Sequence, residues 1–290
     1  MLEDRADVRT DETPAQARVE LDRLEIQLLL EAVFRRYGFD FREYAPASLK
    51  RRLWRRIHAE KLTTVSGLQE RVLHDPAAME RLLLDLSINV TAMFRDPTFY
   101  VAFREKVVPL LRTYPFTRIW NAGCSTGEEV YSIAMLLEEE GLYDTTRIYA
   151  TDINEAVLEQ ARAGVFPLDK MREYTQNYIR AGGKRAFSEY YVAAYDAAQF
   201  DRRLIRNVVF AQHNLVSDRS FNEFNVIVCR NVMIYFDRSL QDHVHELFYE
   251  SLPTFGVLAL GHKESIAFSP HAQGYEELDA REKLYRKVGE

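Results

Sequence analysis

Apolar positions recur every three or four residues through the first third of the chain. Leu21, Leu24 and Leu28 belong to this pattern, and no alternating strand-like run interrupts it over residues 20–88. Such spacing places apolar side chains on one face of a helix. The pattern therefore predicts a small all-helical N-terminal domain, preceded by a charged, flexible tail at residues 1–19.

The pattern changes at residue 117, after which short β-prone runs alternate with helical segments. The strand candidates are residues 117–121, 147–151, 207–211 and 225–230. Alternation of this kind predicts an α/β fold in which a parallel sheet is covered by helices on both faces. Ligands of such sheets bind beyond the carboxyl ends of the strands, so residues that follow each strand are the first candidates for a functional site.

Two other segments complete the predicted organisation. Residues 89–116 are interpreted as a linker and first helix that lead into the sheet domain at 117–290. Pro97 suits the first turn of that helix, because its missing N–H costs nothing there. Residues 181–204, with a Gly-Gly pair and several aromatic residues, fit the alternation badly, so we predict a small inserted subdomain there.

The strongest local signal follows the first strand, where residues 119–129 read Ile-Trp-Asn-Ala-Gly-Cys-Ser-Thr-Gly-Glu-Glu. Gly123 and Gly127 allow the backbone to bend and to approach a ligand closely. Ser125 or Thr126 is predicted to cap the following helix, with two glutamates in its first turn. The competing interpretation is a well-capped strand-to-helix turn that binds nothing.

Acidic and amide residues near the strand ends discriminate among ligands. Glu129 and its neighbour would repel a dinucleotide pyrophosphate and favour an ammonium-bearing or sulfonium cofactor. Asp152 ends the second strand and suits ribose hydroxyls, with a helix cap as the alternative. Asn214 and Asn231 follow later strands and suit an adenine edge or an amino-acid moiety, with structural turns as the alternative. Together these residues predict a site for a methyl-donor nucleoside rather than for NAD.

Composition and charge narrow the class of protein. The formal net charge of −6 argues against general nucleic-acid binding. No apolar run approaches the roughly 20 residues that span a bilayer, and the first residues do not resemble a signal peptide. Cys124 and Cys229 are too few for a disulfide framework or a thiolate zinc site, and they favour a reducing cytoplasm. His243 and His245 are interpreted as part of a solvated face, and no metal is predicted.

One segment is basic although the chain is acidic. Arg51, Arg52, Arg55 and Arg56 lie on the side of a predicted helix that faces away from its apolar stripe. Two interpretations are open, namely a solvated outer face and a docking surface for an acidic partner helix.

Together these motifs resemble the chemotaxis receptor methyltransferases, the CheR-type family. The resemblance rests on Asn-Val-Thr at 89–91 with Phe-Arg-Asp at 94–96, and on segments 122–129, 150–153 and 229–236, in matching order. It implies a Rossmann-like S-adenosyl-L-methionine-dependent methyltransferase domain that follows a small all-helical N-terminal domain. Val130, Lys263 and the 181–204 segment depart from the family's usual pattern.

The resemblance also implies site residues, an acceptor and a product. The donor would be bound around Gly123 by Asn89, Thr91, Arg95, Glu129, Asp152, Asn214, Leu215, Asn231 and Val232. Arg95 and Tyr235 would lie near the transferred methyl, with S-adenosyl-L-homocysteine as product and no metal. The acceptor would be glutamates on the cytoplasmic helices of chemoreceptors, touched by the basic helix. Two alternatives stay open: a non-catalytic nucleoside-binding adaptor, and a methyltransferase for another acceptor.

Overall fold

The computed structural model describes residues 14–87 and 90–289. It divides into two compact units, one comprising residues up to Arg42 with Pro46–Leu86, and one comprising Glu43–Ala45 with the residues from Ser87 onward. Residues 1–13 of the predicted tail and the predicted donor-site residue Asn89 lie outside the described residues. No helix among the described residues is long and apolar enough to cross a membrane.

The first unit is helical, as predicted. Its helices are α1 (Pro14–Tyr37), α2 (Pro46–Ala59), α3 (Val65–His74) and α4 (Pro76–Leu86). Three of them begin at a proline, whose fixed φ suits a first helical turn. The other, α3, is capped by Thr64, whose hydroxyl accepts a hydrogen bond from the Gly67 N–H at 3.0 Å. Fully buried side chains such as Leu29, Leu53 and Leu82 form the core of this unit.

The start of α1 differs from the sequence prediction. Residues 14–19, predicted to belong to the flexible tail, are the first residues of this helix. Pro14 presets the first turn, and the alanine, glutamine and arginine residues that follow have high helix propensity. The helix therefore starts before the first apolar position of the stripe that predicted it.

The second unit carries a large sheet and its covering helices. The helices are α5 (Pro97–Ala102), α6 (Val108–Leu111), α7 (Glu128–Glu139), α8 (Glu155–Ala163), α9 (Met171–Arg180) and α10 (Arg238–Ser251). The strands are β1 (Thr117–Ala122), β2 (Thr146–Asp152), β3 (Val165–Pro167), β4 (Tyr191–Ala194), β5 (Ala197–Phe200), β6 (Val208–Gln212), β7 (Val226–Cys229), β8 (Val257–Leu260), β9 (Tyr275–Asp279) and β10 (Leu284–Lys287). All four predicted strands are present, and Pro97 occupies the first turn of α5 as predicted.

The seven-stranded sheet has the order β6-β2-β1-β7-β8-β10-β9. The five strands from β6 to β8 are parallel, whereas β10 runs antiparallel to both β8 and β9. All residues of β7 and of β8 are buried, as expected for strands covered on both faces. The chain moves from β1 to one side of the sheet and later returns to pair β7 on the other side. The carboxyl ends of the paired strands β1 and β7 therefore mark the switch point at which such sheets bind ligands.

The inserted subdomain is larger than the sequence predicted. Strand β3 pairs with β5, and β5 pairs with β4, which gives a three-stranded antiparallel sheet that begins at Val165 rather than at residue 181. The predicted segment contained only two of these strands, because the pairing of β3 with β5 is not local in sequence. The wholly buried carboxylate of Glu139 on α7 accepts hydrogen bonds from the hydroxyls of Tyr178 and Tyr190, which fastens the insertion to the large sheet's covering helix.

Candidate active site at the switch point

The glycine loop after β1 is fastened to the end of β2. The N–H groups of Gly123 and Cys124 both donate to the carbonyl of Thr151, at 2.8 and 2.9 Å. The next N–H, that of Ser125, donates to a carboxylate oxygen of Asp152 at 2.9 Å. Two predicted donor-site positions, Gly123 and Asp152, are thus parts of one structure at the carboxyl edge of the sheet.

The helix that follows this loop begins differently from the prediction. Gly127, and neither Ser125 nor Thr126, is the N-cap of α7, and no side chain caps the helix. Gly127 has a φ of +97°, and a Cβ on this residue would lie 2.8 Å from Cβ of Ala161. A bare backbone is therefore required at the position where a serine or threonine cap would stand. The predicted acidic first turn is present, because α7 starts at Glu128.

Asp152 is buried and is used by the backbone on both sides. Its second oxygen accepts a hydrogen bond from the N–H of Asn154 at 3.1 Å. Asn154, not Asp152, is the N-cap of α8, since its side chain accepts from the Ala156 N–H at 3.0 Å. Burial raises the pKa of Asp152 above its ordinary value, although N–H donors including those of Asn154 and Ser125 oppose this shift. A carboxylate has more than two acceptor sites, so capacity remains for ribose hydroxyls.

A buried arginine that the sequence analysis missed connects three of the motifs. One nitrogen of Arg230 donates to Glu129 at 2.7 Å, and the other donates to Asp96 at 2.9 Å and to the carbonyl of Arg95 at 3.2 Å. The remaining oxygen of Glu129 accepts from the side chain of Asn121 at 2.7 Å. We call this arrangement of Arg230, Glu129 and Asp96 the Arg230 hub. Its signal in the sequence was only that Arg230 is the second residue of one of the four quoted motifs.

The Arg230 hub is strongly charged, and its cation is shielded from solvent. The Arg230 side chain is 1% exposed, and its guanidinium carbon lies 4.0 Å from the centre of the Phe99 ring. Burial acts to lower the pKa of Arg230, but nearby negative charge, first that of Glu129, outweighs burial and raises it. The guanidinium therefore stays charged, and it holds the segment of Arg95 against the first turn of α7.

A second missed residue, Glu264, holds the loop after β7. One oxygen of this buried carboxylate accepts from the N–H groups of Val232 and Met233 at 2.9 and 2.8 Å. The other accepts from those of Asn231 and Gly261 at 2.9 and 2.7 Å. Asn231 adopts a φ of +62°, which these bonds help to maintain. Burial raises the pKa of Glu264, while the four N–H donors act in the opposite direction.

The loops after β1 and β7 touch each other at the switch point. A Cβ on Gly123, whose φ is +75°, would lie 2.5 Å from a methyl carbon of Val232. The bare glycine therefore lets the two loops pack closely together, and we call this contact of Gly123 with Val232 the cradle. Together with the acid at the end of β2, this cradle fits a nucleoside methyl donor.

We expect Gly123→Ala to weaken donor binding by about tenfold, because the new methyl group collides with Val232 and pushes the two loops apart, in addition to straining the backbone. Gly141→Ala is the matched control, since Gly141 has a φ of +69° and its Cβ would meet no atom within 4 Å. The measurement is titration calorimetry with S-adenosyl-L-homocysteine. Equal losses of affinity in the two variants would show that strain alone is responsible, whereas recovery in Gly123→Ala/Val232→Ala supports the cradle.

Three further predicted donor-site residues lie in the loop after β6 and in the junction before α5. The side-chain oxygen of buried Asn214 accepts a hydrogen bond from the Val216 N–H at 3.0 Å. This is the structural turn that the sequence analysis gave as the alternative to ligand binding. Leu215 is buried beside it. Thr91 is half-buried in the junction before α5. The structure thus gives Asn214 a structural role through its oxygen.

The two residues predicted near the transferred methyl are each fixed by neighbouring backbone. Arg95 is half-buried, and its guanidinium donates to the Val90 carbonyl at 2.9 Å. Tyr235 is half-buried in a short 3₁₀ helix, and its carbonyl accepts from the Ala45 N–H at 2.9 Å. The Arg230 hub reaches the carbonyl of Arg95, so the position of this residue depends on the buried charges behind it.

The predicted basic face of α2 is only partly open to solvent. Arg52 is 4% exposed and donates to the Leu86 carbonyl at 2.6 Å, so its assignment to a docking surface is corrected. Arg55 and Arg56 both pair with Asp85 of α4, while Arg51 is exposed. The spacing of residues within α2 predicted a basic face, but it could not show that Asp85 of α4 neutralises two of the arginines.

The histidine interpretation is also corrected in part. His243 is exposed, but His245 on α10 is 4% exposed, and burial lowers its pKa to about 4. It is therefore a neutral core residue rather than part of a solvated face. Within residues 14–87 and 90–289, no group of three or more His, Cys, Asp or Glu side chains is arranged to hold a metal ion.

Known proteins resemble this chain over both units. Residues 24–87 match the family described as CheR methyltransferase, all-alpha domain, and residues 89–282 match CheR methyltransferase, SAM binding domain. The chain is 51% identical over 264 residues to the Pseudomonas putida protein named "Putative methyltransferase Cher3", covering 91% of this chain and 97% of that protein. It is 31% identical over 258 residues to "Chemotaxis protein methyltransferase 2" of Pseudomonas aeruginosa, covering 86% and 89%. A solved SAM-dependent methyltransferase from Geobacter sulfurreducens, in complex with S-adenosyl-L-homocysteine, aligns with a TM-score of 0.33 and 15% identity over 60% of this chain and 51% of that one.

Proposed function

This chain belongs to the CheR methyltransferase family, and from that premise we propose that it methylates glutamate carboxylates of chemoreceptors or related signalling proteins. The reaction gives glutamate methyl esters and S-adenosyl-L-homocysteine. The observation that carries the methyl-transfer part is the cradle at the switch point, where Gly123 meets Val232 beside Asp152. The acceptor is supported by relatives that are named chemotaxis protein methyltransferases.

The chemistry needs little from the protein beyond binding and alignment. When bound, the donor supplies a methyl group on a positively charged sulfur. A glutamate acceptor has an ordinary pKa of about 4.3, so near neutral pH it attacks as a carboxylate without a general base. The residues of the chain must then hold oxygen, carbon and sulfur in line, which is catalysis by orientation. In this proposal Arg95 orients a carboxylate, and the hydroxyl of Tyr235 donates a hydrogen bond near the methyl.

Asp152 and Gly123 belong to the donor side of the proposal. Asp152 would accept ribose hydroxyls, and the bare backbone at Gly123 would allow close approach of the donor. Glu129 is held by Asn121 and Arg230 and would present its carboxylate to the cationic part of the donor. These assignments use residues whose geometry is already fixed by the hydrogen bonds of the two loops.

The acceptor side involves the outward-facing arginines of α2. Arg51 and Arg55 are exposed, and in this proposal they contact the acidic cytoplasmic helices of the receptor. Each methyl ester removes one negative charge, so like-charge repulsion within the receptor's helical bundle falls, which suits sensory adaptation. The proposal assigns the reaction to the cytoplasm, where these receptor helices lie.

The test is to incubate the protein with methyl-labelled donor and a membrane fraction that contains chemoreceptors. We expect a labelled receptor band that releases labelled methanol in mild base. Arg95→Ala and Tyr235→Phe should each lower turnover at saturating donor by about tenfold or more, because alignment is lost. Arg202→Ala and Tyr195→Phe are matched controls, since Arg202 is exposed and Tyr195 is 100% exposed.

The outcomes separate the proposal from its alternatives. Donor binding without base-labile label on any receptor would indicate a non-catalytic adaptor and overturn the proposal. Label on a small molecule or on RNA instead of protein would indicate a different acceptor. Full turnover of Arg95→Ala and Tyr235→Phe, with receptor labelling intact, would contradict only the roles given to these two residues.

A further inference from the structure

Helix α9 of the insertion exposes a basic stripe. Arg172, Gln176 and Arg180 are exposed and follow one another at intervals of four residues, so they lie along one face of the helix. Ile179 lies beside them and is 66% exposed. The opposite face is anchored in the protein by the buried side chains of Met171, Tyr174 and Tyr178. We call Arg172, Gln176, Ile179 and Arg180 the α9 face.

Among the described residues, neither arginine of this face forms an ion pair, although the exposed Glu173 lies beside them on the helix and pairs with Lys170 at 3.9 Å. The basic residues that follow the helix differ, since Lys184 pairs with Glu140 and Arg185 pairs with Glu138. The chain as a whole has a formal net charge of −6, so two unpaired guanidinium groups around an exposed isoleucine are a local exception.

The helix is attached directly to the segment that contains Arg95. The side chain of Asn177 donates to the carbonyl of Met93 at 3.1 Å. The ring of Tyr178 packs edge-on against the ring of Phe94, with centroids 5.2 Å apart. A partner bound to the α9 face is therefore held by the same helix that supports the residues immediately before Arg95.

We propose that the α9 face docks an acidic helix of the acceptor protein. The inference rests on the proposed function, which requires an acceptor rich in glutamate. Carboxylates of that helix pair with Arg172 and Arg180, and an apolar side chain between them covers Ile179. Charge complementarity of this kind steers association and sets register. The surface belongs to the second unit, whereas the arginines of α2 belong to the first.

The first test measures binding of fluorescein-labelled poly-L-glutamate to the full chain by fluorescence anisotropy at low salt. Arg172→Glu/Arg180→Glu should weaken binding by about tenfold, and the weakening should shrink as salt is added, because exposed charge pairs are screened. Arg147→Glu/Arg202→Glu is the matched control. Both of these arginines are exposed, form no ion pair among the described residues and undergo the same change of charge. Arg147 lies near the amino end of β2, whereas the candidate site lies at the carboxyl ends of the strands.

The second measurement uses the receptor that the wild-type protein esterifies. For Arg172→Glu/Arg180→Glu we expect the acceptor KM to rise by about tenfold, with kcat and donor affinity within about twofold of wild type, because no group at the site is changed. Ile179→Ser should raise the acceptor KM by a smaller factor that persists at high salt, since apolar contact is not screened.

Equal effects of the two double variants, or no binding of poly-L-glutamate by the wild type, would overturn the inference. An unchanged acceptor KM in Arg172→Glu/Arg180→Glu would overturn it while leaving the proposed function intact. If the wild type esterifies no receptor, the proposed function fails, and the anisotropy comparison still decides whether the α9 face binds an acidic polypeptide.

Discussion

Replacing Arg230 by methionine is expected to abolish measurable methyl transfer and to destabilise the second unit. The substitution keeps a long apolar side chain over Phe99 but leaves Glu129 and Asp96, 16% and 31% exposed, without their shared cation. Removing one partner of a fully buried ion pair typically costs about 3–5 kcal/mol, and we expect a smaller loss here because the two remaining carboxylates reach solvent. The hydrogen bond to the Arg95 carbonyl is lost as well, so the position of Arg95 is released.

The measurements are thermal unfolding without donor, calorimetry with S-adenosyl-L-homocysteine, and turnover. We expect a lower Tm, donor affinity reduced by about a hundredfold and turnover reduced further, since both binding and alignment depend on the hub. Arg230→Lys should recover part of the stability. A single ammonium group keeps the positive charge but cannot reach Glu129, Asp96 and the Arg95 carbonyl at the same time, as the planar guanidinium does. Glu129→Gln/Arg230→Met should be more stable than Arg230→Met, since one uncompensated charge is removed.

Arg238→Met is the control for losing an arginine that is exposed and paired. Its side chain is 54% exposed and pairs with Asp242 at 3.2 Å. Surface pairs of this kind contribute roughly 0–1 kcal/mol, so a small change in Tm and normal donor affinity are expected. If Arg230→Met behaved like Arg238→Met in all three measurements, the hub would not position the site.

Replacing Glu264 by alanine is expected to have the second largest effect. Four N–H groups lose their common acceptor, and three of them belong to Asn231, Val232 and Met233 in the loop after β7. An unsatisfied buried donor costs roughly 1–3 kcal/mol, so a loss of about 4 kcal/mol follows if water reaches some of the four. The positive φ of Asn231 is no longer enforced, and Val232 loses its fixed position against Gly123.

The measurements are the free energy of unfolding in urea and the affinity for S-adenosyl-L-homocysteine. We expect the affinity to fall by at least about thirtyfold, because all four hydrogen bonds to the carboxylate are lost. Glu264→Gln should retain only part of the stability and of the donor affinity. The amide oxygen can still accept hydrogen bonds from two backbone N–H groups, but the NH₂ group would point at the other two N–H groups and cannot accept from them. Glu282→Gln is the matched control, since Glu282 is also buried but holds the side chain of His262 rather than a loop of the site. Donor affinity lost equally in Glu264→Gln and Glu282→Gln would contradict a specific role for Glu264.

Local signals were sufficient for the main elements of the fold. The four strands, the helical unit and the position of Pro97 follow from periodicity and from backbone chemistry, which act over a few residues. The same holds for Gly123 and Gly127, because a short turn between a strand and a helix already suggests positions where a side chain would not fit. Nearby residues decide these features, so the chain pattern contains them.

Other features depended on residues far apart in the sequence. Arg230 and Asp96 are 134 residues apart, and Arg230 and Glu129 are 101 apart, so no local pattern marks the hub. Because β3 pairs with β5, the insertion begins earlier in the chain than predicted. The predicted basic face of α2 is smaller than expected, because Arg52 donates to the Leu86 carbonyl and Arg56 pairs with Asp85.

Periodicity and local motifs along the chain were enough to predict the α/β class, four central strands and a glycine loop followed by an acid at the carboxyl edge of a sheet. The grouping of charges in the Arg230 hub, and the lack of ion pairs on the α9 face within the described part of the chain, became visible only after folding had brought distant residues together. The physical reason is that secondary structure responds to neighbours along the chain, whereas burial and charge compensation depend on partners that folding brings from elsewhere.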